Sequence, residues 1–212
     1  MKPNIKLIIL DGYGVVFSRG YPDTCDVLAK KFGVSRKKIY DTMYIKYCNL
    51  AALRKITQKE VWELTIRDLN LPISARAMET LHYKLLKPRT GLVKIAKVFK
   101  KRYKVVLLSK NTRVQFSDVK KKYPKVFEIF DAAINTWELN LPKASRETIQ
   151  LIAKRFNIHP SEILYVDDQR SNLVEPKRIG VATVYYRNFK GFQKDLQRFL
   201  SVGTQKSSAC RV

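Results

Sequence analysis

Apolar positions along the chain follow two rhythms. Residues 5–10, 104–108, 131–134, 163–166 and 181–185 are short, nearly continuous apolar runs. Strands buried on both faces of a parallel sheet read this way. Between the first and second runs the rhythm is helical throughout. Pro22 opens a helix to Phe32 that Gly33 stops. Ser35 caps a second, with Ile39, Met43 and Tyr47 at four-residue spacing. Thr57 and Glu60 form a capping box for a third, through Asp68. Ser74 caps a fourth, with Ala77, Leu81 and Leu85 on one face.

From Gly91 onward helix and strand alternate, which predicts a parallel sheet joined by crossover helices. The predicted helices cover 92–101, 117–123, 146–156, 172–179 (interrupted by Pro176) and 189–200. The fold class is α/β: a Rossmann-like three-layer α/β/α parallel sheet with a helical insertion. Residues 1–17 and 89–200 form the core domain, 18–88 the helical unit, and 201–212 a polar tail that reads as disordered.

Composition narrows the class. The chain has 212 residues and is 45% hydrophobic, enough for a full core, and no apolar run approaches the ~18 residues of a membrane span. The N-terminal apolar run is too short for a signal-peptide core. Cys25, Cys48 and Cys210 are widely spaced and lack metal-ligand neighbours, as expected of reduced thiols in a cytoplasmic protein. The formal net charge is +24, and residues 94–125 hold twelve Lys and Arg against the single Asp118. That balance suits anionic partners, with weak, non-specific nucleic-acid binding among them. The aromatics of the helical stretch read as packing groups.

Candidate chemistry sits where strands end. Asp11, Ser109 and the pair Asp167-Asp168 each close an apolar run, and in a parallel sheet such ends share one edge. Gly12 and Gly14 free the backbone just after Asp11. Lys143, in a loop before a helix, can reach the same edge.

The order LDGYGVV, LLS, Lys143, then ILYVDD followed by Asn172 and Gly180 resembles the haloacid-dehalogenase superfamily, over residues 5–188. The helical insertion resembles that superfamily's cap. The nearest likeness is to phosphatases similar to α-glucose-1-phosphate phosphatase and to the N-terminal domain of soluble epoxide hydrolase. The resemblance implies a phosphatase of a small phosphorylated metabolite with Asp11 as nucleophile. It implies Mg²⁺ held by Asp11, the Tyr13 carbonyl and Asp168, with Asp167 orienting from outside the coordination sphere. Ser109, Lys143, Asn111 and the backbone N–H groups of Gly12, Tyr13 and Lys110 would bind the phosphoryl group.

Three positions depart from the superfamily's pattern. Tyr13 stands where a second Asp is usual, and a phenol can donate a proton to a leaving group but is a poor base. Lys110 separates Ser109 from Asn111, and Ala144 replaces a Pro after Lys143. Two rivals follow: a catalytically weak module that binds nucleic acid or another polyanion through its basic surface, and a dehalogenase. The Asp167-Asp168 pair argues against the second, because dehalogenases of this superfamily work without the magnesium site.

Overall fold

The computed structural model describes residues 3–200, so the expected disordered tail and Cys210 lie outside the described residues. Five strands, β1 (Leu7–Asp11), β2 (Lys104–Ser109), β3 (Ala132–Asn135), β4 (Ile163–Asp167) and β5 (Ala182–Tyr185), form one sheet in the order β3-β2-β1-β4-β5. All neighbours are parallel, with Leu7 opposite both Lys104 and Ile163. The chain steps outward from β1 to β3, then crosses back to start β4 on the other side of β1. The connections leaving β1 and β4 therefore diverge, and a crevice opens at their carboxyl ends.

Alternation across the pleat splits the core into two layers. Ile8, Leu10, Val105, Leu107, Leu164 and Val166 face one side, and Leu7, Ile9, Val106, Leu108, Ile163 and Tyr165 face the other. This is the three-layer architecture expected from the continuous apolar runs, since each strand needs cover on both faces.

The helical stretch begins with α1 (Tyr21–Phe32), closed by a left-handed Gly33. Ser35 caps α2 (Arg36–Tyr40), which runs without a break into a π-helical segment, Asp41–Cys48, and then into α3 (Asn49–Ala52). The capping box of Thr57 and Glu60 opens α4 (Gln58–Leu69), and Ser74 caps α5 (Ala75–Leu85). These helices bury a cluster of their own, including Leu28, Met43, Trp62 and Met78. On α5 the expected stripe is displaced: Ala77 is exposed, while Met78 and His82 are buried. Periodicity in hydropathy missed this because one of the two fully buried side chains of that face is an imidazole.

The stretch joins the sheet through two adjacent chain passes. Ser18 N–H donates to the Lys87 carbonyl and Arg89 N–H to the Val16 carbonyl. Beyond them run α6 (Thr90–Phe99), α7 (Arg113–Lys122), α8 (Pro124–Phe127), α9 (Thr136–Leu139), α10 (Arg146–Phe156), α11 (Val174–Arg178) and α12 (Phe189–Leu196). Helices α6, α7, α8 and α12 cover the first face of the sheet, and α10 the second. Helix α7 starts four residues earlier than expected, because Thr112 caps it by accepting from Gln115 N–H. The expected single helix over 172–179 is instead a 3₁₀ turn, Arg170–Leu173, followed by α11. Pro176 then lies in the first turn of α11, where a missing N–H costs nothing. Among the described residues no helix is long and apolar enough to cross a membrane.

Candidate active site

The carboxyl ends of β1, β2 and β4 bring Asp11, Ser109 and Asp167-Asp168 to one crevice, and the loop before α10 adds Lys143. Asp11, Ser109, Lys143 and Asp168 form the floor of a cavity of about 510 Å³ between the sheet and the helical stretch, with Asp167 buried beneath it. Its opposite wall is contributed by Tyr21, Tyr40, Tyr44, Asn49 and Leu53, and its side by Trp137 and Leu141.

Local geometry explains the residue types. A Cβ on Gly14, whose φ is +97°, would lie 2.0 Å from Asp168 Oδ2, so only glycine lets that carboxylate lie against the turn after β1. Bonds from Phe17 N–H to the Gly12 carbonyl and from Gly14 N–H to the Phe17 carbonyl straddle Tyr13 and leave its own carbonyl unused by this bridge. The Gly12 amide was expected to be a phosphoryl donor. It already donates to the Leu108 carbonyl at 2.9 Å, so it extends the β1–β2 ladder instead. Gly12 serves by its smallness: a Cβ there would come within 3.0 Å of Ser109 Oγ.

Lys143 is buried and donates to Asp11 Oδ1 and, at 2.8 Å, to Asp167 Oδ2. Its loop is tied by Thr148, whose hydroxyl donates to the Pro142 carbonyl at 2.8 Å. Burial would push the ammonium down, but the carboxylates of Asp11 and Asp167 outweigh it and hold Lys143 well above the usual lysine range. Asp167 has no free acceptor of consequence. It takes hydrogen bonds from Lys143, the Tyr165 hydroxyl, Gln169 N–H and Asn172 Nδ2. Asp11 Oδ2 and Asp168 Oδ1 are enclosed and have no protein partner.

Burial, then repulsion from Asp167, pushes the carboxyls of both Asp11 and Asp168 up. The site also carries a charge mismatch: three carboxylates converge on one ammonium, leaving a formal deficit of two positive charges. Asp11, Asp167 and Asp168 offer oxygens within 4.8 Å of one another. Two orphaned oxygens, a free carbonyl and a deficit of two charges suit a divalent cation with oxygen ligands.

Ser109 is buried at the end of β2, and its Oγ accepts from Asn111 Nδ2 at 2.5 Å. Asn111 thus reaches the site despite the inserted Lys110. Asn135 clamps the same turn, its Oδ1 accepting from Asn111 N–H at 3.1 Å and its Nδ2 donating to the Asn111 carbonyl at 2.9 Å. Sequence reasoning passed over Asn135, although it ends β3 as Ser109 ends β2 and the same rule would have found it. Lys110 sends its side chain across the cavity, where Nζ donates to Asn49 Oδ1 at 3.1 Å.

The Tyr13 ring packs edge-on against Phe17, with centroids 6.3 Å apart, and over Gly20. Its hydroxyl is enclosed without a protein partner. Burial, followed by the neighbouring Tyr83, Cys48 and Asp118, pushes its pKa well above the usual phenol value.

The sequence model of haloacid dehalogenase-like hydrolases matches residues 5–174 of the chain. No curated protein matches it. Among solved structures, one similar to it is a HAD-family enzyme of Bacteroides thetaiotaomicron in complex with magnesium and inorganic phosphate. It has 18% identity and a TM-score of 0.65, over 86% of this chain and 94% of that one. A predicted HAD-like hydrolase of Porphyromonas gingivalis aligns over 92% and 98% of the two chains, with 17% identity and a TM-score of 0.68. An L-2-haloacid dehalogenase of Xanthobacter autotrophicus aligns over 91% and 82%, with 16% identity and a TM-score of 0.64. At these identities the likeness is one of fold.

Proposed function

The chain belongs to the haloacid dehalogenase-like hydrolases, and within that family we propose that it is a Mg²⁺-dependent phosphatase of a small phosphorylated metabolite. The observation that carries this reading is the state of Asp11. One of its oxygens is held by Lys143, and the other is buried, unpartnered and on the cavity floor. A carboxylate fixed at one oxygen and bare at the other is set to act as a nucleophile.

Asp11, the Tyr13 carbonyl and Asp168 would hold the metal. When bound, Mg²⁺ supplies the positive charge that lets an anionic nucleophile approach an anionic ester. The Asp11 carboxylate then attacks phosphorus, the ester P–O bond breaks, and the leaving oxygen departs with the bonding pair and takes up a proton. Lys143, Ser109 and the Lys110 amide hold the phosphoryl oxygens in place. Attack of water on phosphorus frees Asp11 and releases inorganic phosphate. Asp167, saturated by four partners, keeps Lys143 aimed at Asp11 and does not ligate. The helical stretch 18–88 acts as a cap that walls the cavity on the leaving-group side. The orphaned oxygens favour a phosphate ester over an organic halide, since displacing halide from carbon needs no bound cation.

The test is a screen of phosphate monoesters with and without Mg²⁺, on wild type and Asp11→Asn. Mg²⁺-dependent release of phosphate by wild type and its loss in the near-isosteric variant are expected. Wild-type turnover retained by Asp11→Asn would overturn the covalent mechanism.

A further inference from the structure

Three cations line the cavity, and they are not equivalent. Lys143 is paired with Asp11 and Asp167, and Arg19 with Asp23 and Asp26. Among the described residues Lys110 has no carboxylate partner. Its Nζ meets only the neutral Asn49 Oδ1 and lies 5.8 Å from the centroid of the Tyr44 ring. Lys110 is partly buried, so water replaces a counter-ion less fully here than on the open surface.

The Tyr44 hydroxyl lines the same wall. It accepts a long hydrogen bond from Gln169 Nε2 at 3.5 Å, and among the described residues its own O–H has no acceptor. Burial pushes the phenol up, so it remains a donor at neutral pH. Tyr44 lies in the π-helical segment Asp41–Cys48, and such departures from α-geometry frequently re-aim side chains at functional sites. An unpaired ammonium and an uncommitted hydroxyl thus line the same cavity as the nucleophile.

We propose that Lys110 Nζ and the Tyr44 hydroxyl form a second anion site, and that the substrate is a phosphate monoester whose leaving group carries its own anionic group, a carboxylate or a second phosphate. This rests on the phosphatase reading. Lys110 then serves both ends of the substrate, its amide toward the transferring phosphoryl group and its side chain toward the remote charge. The remote charge anchors the substrate by binding energy away from the reacting centre.

The experiment compares kcat/KM for glycerol 3-phosphate, 3-phosphoglycerate and propane-1,3-diol bisphosphate in Mg²⁺, with 4-nitrophenyl phosphate as a generic substrate. Wild type is expected to prefer at least one of the two esters with a second anion, and which one identifies the charged group. In Lys110→Met the ratio of kcat/KM for that ester to that for glycerol 3-phosphate should fall about 10- to 100-fold, the worth of one charge-assisted hydrogen bond. Lys110→Arg should restore most of the ratio. A purely structural tie between Lys110 and Asn49 would move all esters alike and leave the ratio unchanged, which would overturn the proposal. Wild type that hydrolyses glycerol 3-phosphate as well as either anionic ester overturns it too, with the phosphatase reading intact. No hydrolysis of any of the four compounds would sink the phosphatase reading and this site with it.

Discussion

At Tyr13 the chain puts a phenol where the resemblance to the superfamily implies a second Asp, and the ring is used as packing against Phe17 and Gly20. A group whose pKa is raised well above 10 by burial is no base at neutral pH. Among the described residues the other carboxylates at the cavity are engaged: Asp167 is saturated, Glu175 pairs with Arg178, and Asp168 is part of the proposed metal-binding set. The leaving oxygen must then depart with little help, so log(kcat/KM) should fall steeply as leaving-group pKa rises from aryl to alkyl phosphates. Tyr13→Phe should leave that slope unchanged. A shallow slope in wild type that steepens in Tyr13→Phe would mean that the hydroxyl does protonate the leaving group. The floor of the site was legible because strand-ending polar residues in a parallel sheet meet at one edge whatever their distance in sequence. The division of labour proposed for Asp167-Asp168 was already an expectation of the sequence; the hydrogen bonds from Tyr165 and Asn172 that support it were not readable from spacing. Gly12 was misread because its position after a strand says nothing about whether its amide is already paired.

Where α1, α5 and α7 meet, one buried histidine joins the helical stretch to the sheet domain. His82 Nδ1 lies 2.9 Å from Thr24 Oγ1, whose hydroxyl also reaches the Gly20 carbonyl at 3.0 Å. Its Nε2 lies 2.7 Å from Gln115 Nε2, on α7. This pattern fits a neutral ring that donates from Nδ1 and accepts at Nε2. Burial lowers the imidazole pKa from 6.5 to about 3. Because the folded value lies below the unfolded one, the contribution is full above about pH 6.5 and is lost as pH falls toward 3. The loss grows by about 1.4 kcal/mol per pH unit, or roughly 2 kcal/mol between pH 6.5 and pH 5. The urea midpoint should drop across that window in wild type and drop less in His82→Gln, which keeps a hydrogen-bonding side chain but cannot charge. Equal slopes in the two proteins would show that His82 is not the group titrating. The caps of α2, α4 and α5 were legible because Ser35, Thr57 and Ser74 act on backbone within three residues. The π-helical turns and the buried His82 were not, because both depend on partners brought in by tertiary packing.

Across the described residues three carboxylates, Asp11, Asp167 and Asp168, converge at the candidate site, while the chain as a whole is strongly basic. The +24 was readable from composition, but its placement was not. Helices α6 and α7 cover the same face of the sheet, and Lys94, Lys97, Lys101, Lys120, Lys121 and nearby Lys125 are all exposed. Such a field raises the encounter rate of small anionic substrates, and it also attracts any polyanion. Exposed ammonium groups are screened over about 8 Å at physiological ionic strength, so an attraction built only from them releases counter-ions and fades with salt. A generic oligonucleotide should therefore bind at low salt, lose most of its affinity by about 0.2 M, and bind equally well when its sequence is scrambled. Lys97→Glu combined with Lys121→Glu should weaken that binding and reduce its salt dependence, with the fold intact by circular dichroism. Steady-state anisotropy across a salt series measures both effects. Binding that persists at 0.2 M salt, or that discriminates between the native and scrambled oligonucleotides, would require base or shape contacts beyond the basic face and would favour a nucleic-acid-binding role over the reading of this surface as a non-specific anion field.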